Sequence, residues 1–182
     1  MKRLGLAALF VLLWAPFASS LASDGKAPAT YELLELKPGV FHFRMQEYGS
    51  LVVVTPAGVI VVDPNGVERA KALRQALRER TDQPVRWVIY SHAHFDHSRG
   101  GAIFKQEGAR FLTNQRCLEL LNRDLDKQVV APDQTYDLTH RLELGGKTLD
   151  LHYYGANDGQ CTSILHMPQD GVLYAVDWHL QG

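Results

Sequence analysis

The segment Tyr90-Ser91-His92-Ala93-His94-Phe95-Asp96-His97-Ser98-Arg99-Gly100-Gly101 gathers three of the chain's eight histidines and an aspartate into six consecutive positions, 92–97. The run before it, Val85-Arg86-Trp87-Val88-Ile89-Tyr90, is β-branched and aromatic and predicts a buried strand. The polar cluster then sits on the loop that leaves the strand's carboxyl end, where α/β sheets place their chemistry. In an extended loop alternate residues share a side, so His92, His94 and Asp96 are expected to converge, with His97 directed to a second position nearby. Neutral imidazole and carboxylate are ligands of hydrolytic Zn²⁺. Two such ions about 3.5–4 Å apart can share a hydroxide that attacks at neutral pH. Backbone-bonded histidines would account for one of these side chains more readily than for all of them.

His92-Ala93-His94-Phe95-Asp96-His97 followed by Gly100-Gly101 resembles the H-x-H-x-D-H signature of the metallo-β-lactamase superfamily. The resemblance implies an α/β (α+β) fold, an αββα sandwich of the metallo-β-lactamase type. It also implies a hydrolase using a zinc-bound hydroxide on an ester, lactone, thioester or lactam-type substrate. Lactamases, lactonases and glyoxalase-II-type thioesterases share the motif, so it does not choose among them. Asp96 is expected to orient the nucleophile or pass a proton to the leaving group.

The resemblance extends over about residues 31–182, with departures. Where the family has Gly-x-x-His, alignment on Gly155 and Pro168 puts Asp158 in the histidine's place. A carboxylate binds zinc at a similar distance but is a harder ligand, which tilts preference towards Mn²⁺- or Mg²⁺-like ions; the expected cofactor is one or two Zn²⁺, with Mn²⁺ or Fe as alternatives. Asn157-Asp158-Gly159 reads equally as a tight turn. Asp177, ending the apolar run Val172–Val176, resembles the family's bridging aspartate or else forms a structural turn, and His179 follows it. Asp63 resembles an aspartate at the corresponding strand end; it either supports the metal loop by hydrogen bonding or makes an Asx turn. The family's last histidine ligand has no counterpart before Gly182, which predicts a domain incomplete at its C-terminus, or a fragment. The expected ligand sets are His92, His94 and Asp158 for one ion, with Asp96, His97 and Asp177 for a second.

The 182 residues suit one domain, and a formal charge of −1 with no basic concentration gives no footprint for nucleic acid. Lys2-Arg3, the apolar run Leu4–Trp14 and the small-residue exit to Ala22 read as a signal peptide over residues 1–22, cleaved after Ala22 or after Ser20. The apolar run falls short of the roughly 20 residues a membrane span needs, so no stable anchor is expected after cleavage. An uncleaved anchor is the alternative. The expected address is periplasmic or secreted, with a small-molecule substrate as partner. Residues 23–30 read as a flexible mature terminus before a domain over 31–182. Cys117 and Cys161 are free to pair in an oxidising compartment, which only geometry decides. A second functional class is a non-catalytic periplasmic metal-binding or redox-relay accessory protein of the same fold.

Elsewhere the patterning predicts strands over 31–36, 40–45 and 110–113, and a hairpin from Leu51 to Asp63. It predicts helices over 67–80 and 114–127, the latter with Leu118, Leu121 and Leu125 inward, and a loop over 128–134 near a pocket mouth. His42, His140 and His152 read as structural. Leu51–Asp63 and Ser163–Asp177 share one plan, strand, Pro/Gly turn, strand and aspartate, which predicts two halves packed face to face with both aspartates at one rim.

Overall fold

The structure, a computed structural model, describes residues 30–178. Four strands, β1 (Tyr31–Lys37), β2 (Val40–Met45), β3 (Tyr48–Thr55) and β4 (Gly58–Val62), form an antiparallel meander. β5 (Val85–Ile89), β6 (Arg110–Asn114) and β7 (Gln134–Tyr136) then add in parallel, completing a seven-stranded sheet in sequential order. Parallel neighbours need crossovers. These carry α1 (Val67–Arg78), the short α2 (Phe95–Ser98) and α3 (Ala102–Gln106), and α4 (Leu118–Leu121). A second, antiparallel sheet of four strands is built from β8 (Thr139–Leu144), β9 (Lys147–His152), β10 (Ile164–Met167) and β11 (Val172–Tyr174).

The apolar runs are continuous because the seven-stranded sheet is covered on both faces. Leu51, Val53, Ile60 and Val62 meet Leu149, Leu151 and Leu165 of the second sheet. Val52, Val59 and Val61 point the other way, onto Ala70, Leu73 and Leu77 of α1 and Phe104 of α3. Helices, sheet and sheet therefore stack as three successive layers of the αββα type, with the described helices on the outer face of the seven-stranded sheet. The paired-half expectation also holds at strand level: the β3–β4 and β10–β11 hairpins lie in facing sheets and lead to Asp63 and Asp177. Both aspartates adopt left-handed backbone, φ 58° and 55°, a region aspartate enters more easily than most residues. Among the described residues no helix is long and apolar enough to cross a membrane. The expected signal peptide, the expected mature terminus up to residue 29 and His179 lie outside the described residues.

The helix predicted over 114–127 is corrected. Asn114 ends β6 and caps a 3-10 turn, its side-chain oxygen accepting from Arg116 N, and α4 stops at Leu121. Leu121 is buried but Leu125 is 92% exposed, so the inward stripe breaks. The cause is Asp124, whose buried carboxylate accepts from the Arg99 guanidinium and from the backbone amides of Gln128 and Val129. That pull folds the chain back instead of continuing the helix. Val129 and Val130 consequently pack on the helical core, where a pocket-edge loop had been expected.

Cys117 and Cys161 are joined in a disulfide with Cα atoms 5.3 Å apart, 44 residues apart in sequence. Both are fully buried, tying the start of α4 to the loop between β9 and β10. Closing a loop of that length stabilises the fold by ~4 kcal/mol on the chain-entropy account. The Cys117→Ser/Cys161→Ser double variant is expected to lose most of that in urea unfolding. A loss below ~1 kcal/mol would show that the bridge constrains little.

Candidate metal centre

Two turns, one after β4 and one after β5, make the floor of the site and are stitched together through their backbones. Asn65 N donates to His97 O at 3.1 Å and Gly66 N to Arg99 O at 2.8 Å. A Cβ at Gly100 would fall 2.3 Å from the carbonyl carbon of Gly66, and one at Gly101 would fall 2.6 Å from the Phe111 ring. Only glycine permits that approach.

His92 leaves β5 fully buried, and its orientation follows from one proton count. Asp63 Oδ1 accepts from Ser91 N at 2.8 Å, and Asp63 Oδ2 accepts from the Ser91 hydroxyl at 2.6 Å. A serine hydroxyl has one proton. With that proton given to Asp63, Ser91 Oγ accepts from His92 Nδ1, 2.9 Å away. The Nε2 lone pair of His92 is thereby left free and directed outward.

The structure gathers the predicted residues into two overlapping groups able to hold a divalent ion: His92, His94 and Asp158, and Asp63, His92 and His97. The His92 ring lies 4.6 Å from that of His94 and 4.5 Å from that of His97. Asp158 Oδ2 stands 3.1 Å from His94 Nδ1. Asp177 Oδ2 stands 3.1 Å from His97 Nε2 and 3.7 Å from His92 Nε2, between the two imidazoles. The extended-loop expectation for Asp96 is corrected: Phe95–Ser98 is a helical turn, which swings Asp96 away from the His92–His94 pair. Its carboxylate lies 3.7 Å from His97 Nε2 instead. Asp63 comes within ligand reach, and each of its oxygens also accepts a hydrogen bond from Ser91. His140 stacks on Tyr136 and His152 on Tyr154, and neither joins a metal group.

The donor set fits a cation. His92 Nε2 and His97 Nδ1 are buried with no hydrogen-bond partner, an arrangement that costs free energy unless something accepts the lone pairs or the charge. His97 Nδ1 faces Asp63 Oδ2 at 3.5 Å, an ion-pair separation rather than a formed hydrogen bond. Burial pushes the His97 pKa down, but Asp63, Asp177 and Asp96 outweigh it and hold it above the ordinary 6.5. Burial lowers His92 too, and there the carboxylates do not compensate, so it stays below 6.5.

Three contributors escaped the sequence reading. Ser91 was legible, being the hydroxyl adjoining the first ligand. Tyr174 donates to Gly49 O at 2.9 Å and lies 3.4 Å from Asp63 Oδ2, bracing one sheet's aspartate from the other sheet. Tyr48 left no signal. Its ring meets His97 edge-on at 5.8 Å, the Arg69 guanidinium covers it at 3.9 Å, and its phenol faces Asp96.

Residues 48–178 match the family model described as the metallo-beta-lactamase superfamily. The chain belongs to that superfamily. Within it, the chain is 28% identical over 133 residues to the alpha subunit of 2,4-dinitroanisole O-demethylase of Nocardioides sp. (strain JS1661). That alignment covers 71% of this chain and 40% of the subunit, so the chain spans well under half of that relative. It is 23% identical to metallo-beta-lactamase IND-1 of Chryseobacterium indologenes, covering 89% of this chain and 68% of the lactamase. In structure it resembles a metallo-beta-lactamase from Pontibacter korlensis, with a TM-score of 0.71, 20% identity and coverage of 80% and 71%. A sec-alkylsulfatase from Pseudomonas sp. superposes with a TM-score of 0.66 at 16% identity, covering 76% of this chain and 30% of that one.

In the metal-free protein, histidine NMR titration is expected to place the His97 midpoint above 6.5 and the His92 midpoint below it. Asp63→Asn, which removes a negative charge facing His97, lowers the His97 midpoint. An unmoved midpoint would refute the pairing. Ser91→Ala removes the acceptor that fixes the His92 tautomer and is expected to weaken zinc binding about 10–100-fold in a chelator competition.

Proposed function

We propose that the chain is an exported metal-dependent hydrolase acting on an ester, thioester, lactone or lactam-type carbonyl. The observation that carries this reading is the buried, unpartnered His92 Nε2, with the Asp177 carboxylate 3.7 Å from it and 3.1 Å from His97 Nε2, beside the His94–Asp158 pair. When bound, Zn²⁺ supplies a water of lowered pKa and a Lewis acid for the carbonyl oxygen. His92, His94 and Asp158 would hold one ion, with Asp96, His97 and Asp177 facing a second. Mn²⁺ or Fe suits the carboxylate-bearing set as well.

The remaining work falls to the chain's own groups. Ser91 and Asp63 keep the His92 lone pair outward. Asp96, half-exposed on the first turn of α2, would take up a proton and return it to the leaving group. Tyr48 faces that carboxylate. Export is supported by the Cys117–Cys161 bridge, since such bonds persist in oxidising compartments. The relatives' names cover a lactamase, an O-demethylase subunit and a sulfatase, so they do not converge on one substrate.

Zinc content measured on the purified chain, together with turnover of a panel of chromogenic esters, thioesters and lactams, tests the reading. Turnover that falls by on the order of 10³ in His92→Ala/His94→Ala, with zinc lost in parallel, is the expected result. Stoichiometric zinc with no turnover across the panel would give the site to a non-catalytic metal-binding role.

A further inference from the structure

Beside His94 and Asp96 opens a cleft of about 570 Å³, within the size range of small-molecule sites. Its walls are largely apolar: Phe95 from α2, Leu120 from α4, and Cys161 at the buried disulfide. Among the described residues lining it, Arg123 is the one cation. Arg123 follows α4, its backbone amide donating to Leu120 O at 3.1 Å. The disulfide fixes the start of α4 to the loop that carries Asp158, so the guanidinium and the ligands share one covalently closed frame.

Among the described residues lining the cleft Asp96 is the one acid, and its carboxylate lies beside His97. Among the described residues Arg123 is engaged by Glu119 alone, and both side chains are mostly exposed, at 62% and 82%. An exposed pair of this kind contributes little, so the guanidinium can exchange Glu119 for a substrate anion without losing much. A guanidinium recognises a carboxylate through two parallel N–H donors, a geometry that lysine does not reproduce.

From these features we infer that the cleft selects substrates whose acyl part is an apolar segment ending in a carboxylate, with Arg123 as the residue that binds the anion. This rests on the hydrolase reading for turnover, but the binding site stands apart from it. The acyl chain lies along Phe95 and Leu120, with its scissile carbonyl beside His94 and Asp96.

The Zn²⁺-loaded full chain and its Arg123→Gln, Arg123→Lys and Arg123→Glu variants are compared on p-nitrophenyl butyrate and p-nitrophenyl hydrogen glutarate. The expected result is a preference for the glutarate ester that falls about tenfold in Arg123→Gln, through KM rather than kcat, and is partly restored in Arg123→Lys. Arg123→Glu reverses it. Raising ionic strength erodes the preference in the wild type and in Arg123→Lys but leaves Arg123→Gln unchanged. Calorimetric binding of 4-phenylbutyrate, against its neutral amide, is measured in parallel. A carboxylate that merely ligates zinc binds equally well to wild type and Arg123→Gln, and that outcome overturns the proposal. So does a preference ratio unchanged across the variants. If neither ester turns over although zinc is bound, the hydrolase reading falls, and the loss of phenylbutyrate affinity in Arg123→Gln decides the anion site alone.

Discussion

The centre depends on a carboxylate kept entirely out of water. Asp63 is fully buried, and an ionised group in that position costs several kcal/mol unless donors surround it. Ser91 gives it a backbone N–H and a hydroxyl, His97 faces it, and Tyr174 approaches from the opposite sheet. Each donor comes from an element that carries or adjoins a ligand. Satisfying this one charge therefore fixes the loop after β5, the tautomer of His92 and the seat of β11 together. The left-handed backbone at Asp63 fits the same economy: it ends β4 sharply enough for the carboxylate to turn back under its neighbour.

The candidate ligands differ in exposure. His92 and His97 are buried, whereas His94 and Asp158 stand half in solvent on loops. Buried imidazoles keep their geometry through packing. The outer pair relies on what holds its loops, and for the Asp158 loop that is the Cys117–Cys161 bridge and the donation of Ser163 N to Ser91 O at 2.8 Å. A carboxylate in this outer place is less demanding of orientation than an imidazole, since either oxygen can serve.

Much of this was legible in the chain. The β3–β4 hairpin reads from its apolar runs, because two covered faces leave no polar alternation, and the six-residue cluster at 92–97 names its chemistry by composition. What failed were inferences that took local pattern as sufficient. The leucine spacing of 118, 121 and 125 promised a long helix, but Asp124 had more to gain from Arg99 and two amides than a further helical turn could supply. The extended-loop expectation placed Asp96 beside His92, because nothing in the sequence showed that the chain turns helical at Phe95. Tyr48 and Tyr174 act across long sequence separations, and no local periodicity reports such contacts. The cysteine pairing likewise needed coordinates, since 44 intervening residues constrain distance very weakly.

The backbone contact between Gly66 and Gly100 carries an evolutionary consequence. The two turns meet without side chains between them, so neither can gain or lose a residue without displacing the other's hydrogen-bonded partners. Insertions that diversify specificity in descendants of this chain should therefore accumulate on the free rims, around α4 and the 155–160 segment, while the paired turns keep constant length.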